Sequence, residues 1–238
     1  MRPFNLLIAF SLATLCCSSC KVLHVIHLMH QKGARIVEMK SNNKTVEFIP
    51  MHHVGKKEFY DEVRDIVQAF KQDGFIVYFE SSRMEPMKDS VALDGYERKF
   101  RRMLGLYLDT NGYVHYLHDK GLFKKMVDQP KYRDLGVTGS DLRVDIPKNK
   151  LVDAYENKYG KIELYQVDTA TPLTGKYNTR LKLPKKKVRD IIINYRNQHL
   201  ADYIQNSKDK KIIVIYGEDH LEGVFEDLKK TDHSWKKK

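Results

Sequence analysis

Two apolar runs of strand length do most to limit the folds open to this chain: Phe75–Glu80 (FIVYFE), which ends in one acid, and Lys211–Tyr216 (KIIVIY), which opens on one lysine. A strand with one wet face alternates apolar and polar residues. Runs without that alternation read as strands covered on both faces, the habit of parallel sheets flanked by helices. A helical stripe precedes the first run: between Lys56 and Gln72, the residues Phe59, Val63, Ile66, Val67 and Phe70 recur at helical spacing, and Gly74 closes the segment. Earlier still, Arg35–Met39 and Thr45–Ile49 flank the turn residues Ser41–Asn43 and predict a hairpin. Strand, helix, strand in this order predicts a right-handed parallel crossover. The expected class is therefore α/β, a mixed, largely parallel central sheet with helices on both faces.

Further along, Tyr96, Phe100, Met103, Leu104 and Tyr107 predict a helix over Tyr96–Leu108, ended by the turn Asn111–Gly112. Loops are expected over 128–174, interrupted by a helix near Asn149–Asn157 and a strand near Ile162–Val167. Pro184 opens a long helix reaching about Ser207, since proline is well tolerated in a first turn. A last helix follows the second apolar run, from about Leu221 to Lys229.

The amino terminus reads differently. Met1-Arg-Pro is a short cationic start, and Leu6–Cys17 is apolar or small throughout, shorter than the roughly 20 residues that cross a bilayer. That pattern is a secretory signal. All three cysteines, Cys16, Cys17 and Cys20, lie at its end, so the folded part has no disulfide framework and no cysteine metal site. Ser18 and Ser19 before Cys20 resemble the lipobox of bacterial lipoproteins, which implies lipidation of Cys20 and a place in the cell envelope. The division expected is a signal over 1–19, a lipidated tether over 20–34 and one domain over 35–238. The net charge of +11 loses only Arg2 with the signal. Its surplus at Lys185–Lys187, Lys210–Lys211 and Lys236–Lys238 reads as solvated surface that also favours anionic lipid headgroups. With secretion signalled and no nucleic-acid motif, the expected partners are a membrane and a peptide or small molecule, and not nucleic acid.

Three predicted strands end in chemically capable residues: FIPMHH in His53, FIVYFE in Glu80, and IIVIYGEDH in His220. In open α/β sheets the ligand crevice lies at the carboxyl ends of the strands. If these strands are parallel neighbours, the three side chains converge there, and imidazole with carboxylate suits a divalent metal such as zinc, manganese or cobalt. The long helix adds Asn197 inside the apolar stripe Ile193, Leu200, Ala201 and Ile204. A buried amide without partners costs about 1–3 kcal/mol, so Asn197 needs a specific bond. Arg196 beside it offers a fork of donors to a carboxylate or a developing anion. Singly, each residue is what an ordinary strand end or core supplies; their shared location makes the candidate site. His52 is expected to turn the other way, into packing. His24, His27 and His30 read as part of the tether, and His115 and His118 fall on opposite faces of a strand. Asp141, Asp145 and Asp168 are acids without an assigned place. No Gly-x-Ser-x-Gly elbow, phosphate-binding glycine loop or His-Glu-x-x-His is present.

These residues resemble the superfamily that includes the TraB and GumN proteins, the TIKI metalloproteases and the ChaN-like lipoproteins. Gly217–His220 (GEDH), continued by Gly223, is similar to the second of the family's two Gly-x-x-His motifs. MHHVGKKEFYDEV with GFIVYFE resembles the first motif, its helix and the acidic strand end, and YRNQHLADYI resembles the helix carrying an Arg-Asn pair. The resemblance spans about Thr45–Leu228. It departs at Pro50, which stands where the first motif has glycine. The resemblance implies a metal-dependent hydrolase of amide or peptide bonds. In it His53 and His220 bind the metal, Glu80 is a third ligand or the general base, and Arg196 and Asn197 stabilise the oxyanion. The ChaN-like branch implies an alternative, a non-enzymatic lipoprotein that captures haem or iron through a histidine or tyrosine.

Overall fold

The structure is a computed structural model that describes residues 33–107, 126–175, 177 and 181–238. The signal, nearly all of the tether with Cys20, His24, His27 and His30, and the pair His115 and His118 lie outside these residues.

Six strands form one sheet. Strands β1 (Val37–Lys40) and β2 (Thr45–Met51) make the expected hairpin, pairing antiparallel from Val37↔Phe48 to Lys40↔Thr45. A two-strand ribbon of β3 (Val54–Gly55) and β5 (Val127–Asp128) stands apart. In the main sheet, β4 (Ile76–Phe79), β6 (Leu142–Arg143), β7 (Lys211–Gly217) and β8 (Lys236–Lys237) complete the order β6-β4-β7-β2-β1-β8. The four strands β6, β4, β7 and β2 run parallel, and β1 is antiparallel to both of its neighbours. The class is the one expected, an α/β fold with a mixed, largely parallel sheet.

Alternation along β7 divides the core. Ile212, Val214 and Tyr216 face the helices α6 (Arg196–Asn206) and α7 (Leu221–Thr231), against Leu200, Ile204, Val224 and Leu228. Ile213 and Ile215 face α1 (Lys57–Gln72), against Phe59, Val63 and Val67. All of these β7 side chains are fully buried, which is why its sequence is an unbroken apolar run. A third cluster lies past the carboxyl edge of the sheet, where α2 (Ser90–Leu104) and α3 (Lys148–Tyr159) pack through Phe100, Met103, Leu151 and Tyr155.

Three expectations are corrected. Helix α2 begins at Ser90 rather than Tyr96, because the Asp89 carboxylate accepts the Val91 and Ala92 N–H groups and caps it. The strand expected over Ile162–Val167 does not form; α4 (Gln166–Ala170) starts there instead, its first turn closed by Asp168, which accepts the Tyr165 N–H. The long helix after Pro184 is interrupted: α5 (Lys185–Arg189) and α6 flank a π-helical stretch, Asp190–Tyr195. The wider turn adds a residue to the register. Ile191 therefore enters the core, Ile193 is only half-buried, and Arg196 and Asn197 are buried side by side.

Candidate functional site

The register brings the strand ends level. Met51 pairs with Gly217, Phe79 with Ile215, and Phe79 also with Arg143. The residues that follow are His52 and His53, Glu218–His220, Glu80, and Asp145. Pro50 lies past the Val37–Phe48 pair that closes the β1–β2 ladder, where a strand tolerates proline because one side no longer joins a ladder.

Arg196 is the centre of the arrangement. Its Nε donates to Asp145 Oδ1 and its Nη2 to Asp145 Oδ2, both at 2.9 Å. Nη2 also donates to Glu80 Oε1 at 2.7 Å, while Nη1 donates to the Ile192 carbonyl and to His220 Nε2, each at 3.3 Å. A guanidinium has five N–H donors, and these contacts use all of them. Burial disfavours its charge, but the flanking Glu80 and Asp145 carboxylates outweigh that and hold it firmly protonated.

The second oxygen of Glu80, Oε2, accepts the Gly217 N–H at 2.7 Å. A Cβ at Gly217 would stand 3.2 Å from that oxygen, so the glycine permits the approach. Burial opposes the Glu80 charge, yet the Arg196 charge leads a set of contacts that together keep the carboxyl below its usual range. Each carboxylate oxygen accepts two hydrogen bonds, so Glu80 retains capacity for a water or a ligand.

His220 is buried and its ring is edge-on to Tyr216. Its Nδ1 meets Asn197 Oδ1 at 2.6 Å. Because Nε2 receives the Arg196 donor, the tautomer that satisfies both contacts carries its proton on Nδ1. Burial, reinforced by the Arg196 charge, pushes this imidazole down to about 4 and leaves it neutral. Gly223 completes the fit: a Cβ there would lie 1.9 Å from Asn197 Nδ2, so α7 can sit against the amide only with glycine at that position.

The histidine pair is pinned through its backbone. Tyr60 Oη donates to the His52 carbonyl at 2.8 Å, and the Gln129 N–H donates to the His53 carbonyl at 2.9 Å. His52 packs on Phe59 and lies 3.7 Å from Glu218 Oε2, as expected of a packing residue. His53 is exposed and lines a cavity of about 930 Å³ at the carboxyl edge, together with Glu80, Arg196, Phe79, Tyr132 and Phe100.

Of the predicted site residues, His53, Glu80 and Arg196 therefore share one cavity wall. Asn197 and His220 lie behind them, Asn197 orienting His220 and His220 abutting Arg196. Asp145, unassigned from sequence, proves central. Its signal was available: Val144-Asp145-Ile146 sets one acid between buried apolar residues directly after β6. Asp141 instead braces the fold, accepting from Lys71 and the Val77 and Thr138 N–H groups, and Asp168 pairs with Arg102 and Tyr177.

A catalytic metal needs three protein donors and an open position. Glu80 and His53 face the cavity, but both ring nitrogens of His220 are engaged, one by Asn197 and one by Arg196. Among the described residues, no group of three or more His, Cys, Asp or Glu side chains is arranged to hold a metal ion. The expected set His53, Glu80 and His220 does not fit a metal in this arrangement. Compared with known protein families, curated proteins and solved structures, the chain matches none.

Proposed function

We propose that the carboxyl-edge cavity is a hydrolytic site in which a water molecule is activated by His53 beside the Glu80 carboxylate. One observation carries this reading: the two basic side chains of the cluster stand on the wall of a single cavity, above a buried network that fixes one of them. His53 is the general base, the role that histidine takes most often in such sites. Glu80 accepts a hydrogen bond from the same water. Arg196, Asp145, Asn197 and His220 are positioning residues; with its donors spent, Arg196 acts on Glu80 and not on an oxyanion. The bonds attacked are amide or peptide bonds, the class that the motif resemblance implies. The protein works at a membrane surface, held there through lipid on Cys20.

The test is turnover of a panel of para-nitroanilides and para-nitrophenyl esters by the purified full chain. Turnover lost in His53→Ala and kept in His233→Ala, an exposed residue outside the site, supports the proposal. No turnover of any panel member, or full turnover in His53→Ala, counts against it.

The saturation of Arg196 favours a second reading, capture of a ligand without chemistry. The apolar walls Phe79, Phe100 and Leu104 with His53 suit a flat apolar ligand such as haem. A Soret band that appears on haem titration and persists in Glu80→Ala would support capture.

A further inference from the structure

The cavity wall is lined by five cationic side chains against two acids, Glu80 and Asp128. Arg196 is buried and spent on its own partners, and Arg133 pairs with Asp134. The remaining three are Arg83, Lys131 and Lys148, and among the described residues none of them forms an ion pair. Arg83 and Lys131 are exposed at the mouth. The backbones of Arg83 and Lys148 are joined, Lys148 N–H donating to the Arg83 carbonyl at 3.0 Å. Lys148 Nζ lies over the Phe100 ring, and Glu97 is near enough to feel its charge. Lys148 is also the first residue of α3, a helix of 12 residues, so the positive end of its dipole opens beside the same wall.

Such a rim attracts anions. Side chains that balanced only the fold's own acids would be paired, as Lys71 is with Asp141 and Lys99 with Glu156. We infer that the ligand of this cavity carries an anionic group, a carboxylate or a phosphate, received by Arg83, Lys131 and Lys148 while the rest of the molecule lies against Phe79 and Phe100. The inference names the substrate class of the site proposed above and rests on that reading only where turnover is concerned; binding alone tests the charge preference.

Two measurements on the full chain separate the claims. In calorimetric titration, glutarate and inorganic phosphate bind more tightly than the neutral diamide of glutarate. Arg83→Gln or Lys131→Gln weakens the anions about tenfold without weakening the diamide. The stronger of the two anions identifies the natural group. In turnover, the para-nitroanilide of succinate is preferred over that of butyrate by about tenfold in kcat/KM, and the preference disappears in Arg83→Gln/Lys131→Gln. Anion-selective binding with no turnover of either anilide keeps this inference and removes the hydrolytic reading. Turnover without charge preference, or anion binding unchanged in both single variants, overturns the inference and leaves hydrolysis standing. Both substituted residues are exposed, and an unchanged melting temperature verifies folding.

Discussion

Arg196 and Asp145 meet fork to fork, Nε on Oδ1 and Nη2 on Oδ2 at 2.9 Å each, with the carboxylate side chain fully buried. The pair joins the π-interrupted helix to the end of β6, and through Arg196 it fixes Glu80 at the end of β4. Removing Asp145 leaves two of the five Arg196 N–H donors buried without an acceptor and Glu80 as the one acid beside the guanidinium. Asp145→Ala should therefore cost about 3–5 kcal/mol in chemical denaturation, and Asp145→Asn, which keeps an acceptor, distinctly less. A loss under about 1 kcal/mol in Asp145→Ala would show that the pair adds little to stability.

The contact of Asn197 with Gly223 predicts an inverted helix effect. Alanine inside an exposed helix is normally better than glycine by about 1 kcal/mol. Gly223→Ala should instead destabilise, because its Cβ would collide with the Asn197 amide. Adding Asn197→Ala removes the obstacle, so the double variant should be more stable than the sum of the two single changes. Additive effects would place the close approach elsewhere.

Stability should fall on acidification between pH 6.5 and about 4. Across this window an unfolded His220 takes up a proton, whereas the buried one stays neutral, so the unfolded chain binds more protons and gains relative stability as pH falls. The loss is on the order of 3 kcal/mol and levels off below the folded value. Glu80 acts at the acid end, where its folded pKa is depressed: its contribution is present above 4.5 and is lost as pH falls through that lower value. Denaturant midpoints across this range should flatten in His220→Asn, and an unaltered slope would assign the acid sensitivity to other groups.

The anchor is tested by fractionation. Cys20→Ser should move the protein from membranes to the soluble fraction, since one surviving basic surface holds far less strongly than acyl chains at about 0.8 kcal/mol per buried CH₂. Unchanged membrane retention would remove the lipid from the account.

The sheet was legible because burial on both faces leaves an unmistakable signature. Phe75–Phe79 and Ile212–Tyr216 are apolar throughout, and β4 and β7 lie where they stand. The two-residue strands β6 and β8 carry no such signature, because their order is set by neighbours rather than by their own composition. In the site, the placement of His53, Glu80 and His220 at strand ends is legible in the sequence, whereas that of Arg196 depends on the π stretch. Their roles are not legible, because a role depends on where a side chain's donors are spent. Arg196 and His220 look equally available in sequence, yet the π stretch turns Arg196 inward to meet His220, and Asn197 takes the other nitrogen. For Asp145 the flanking Val144 and Ile146 signal burial, but a lone acid carries no sign of which cation it meets.

The central claim is water activation by His53 without a metal, and kcat/KM for the best panel substrate tests it most directly, in wild type and His53→Ala, with and without a chelator. The account predicts a loss of about 10²–10⁴-fold in His53→Ala and no effect of chelation on the wild type. Wild-type activity in His53→Ala, or activity abolished by the chelator and restored by zinc or manganese, would contradict it.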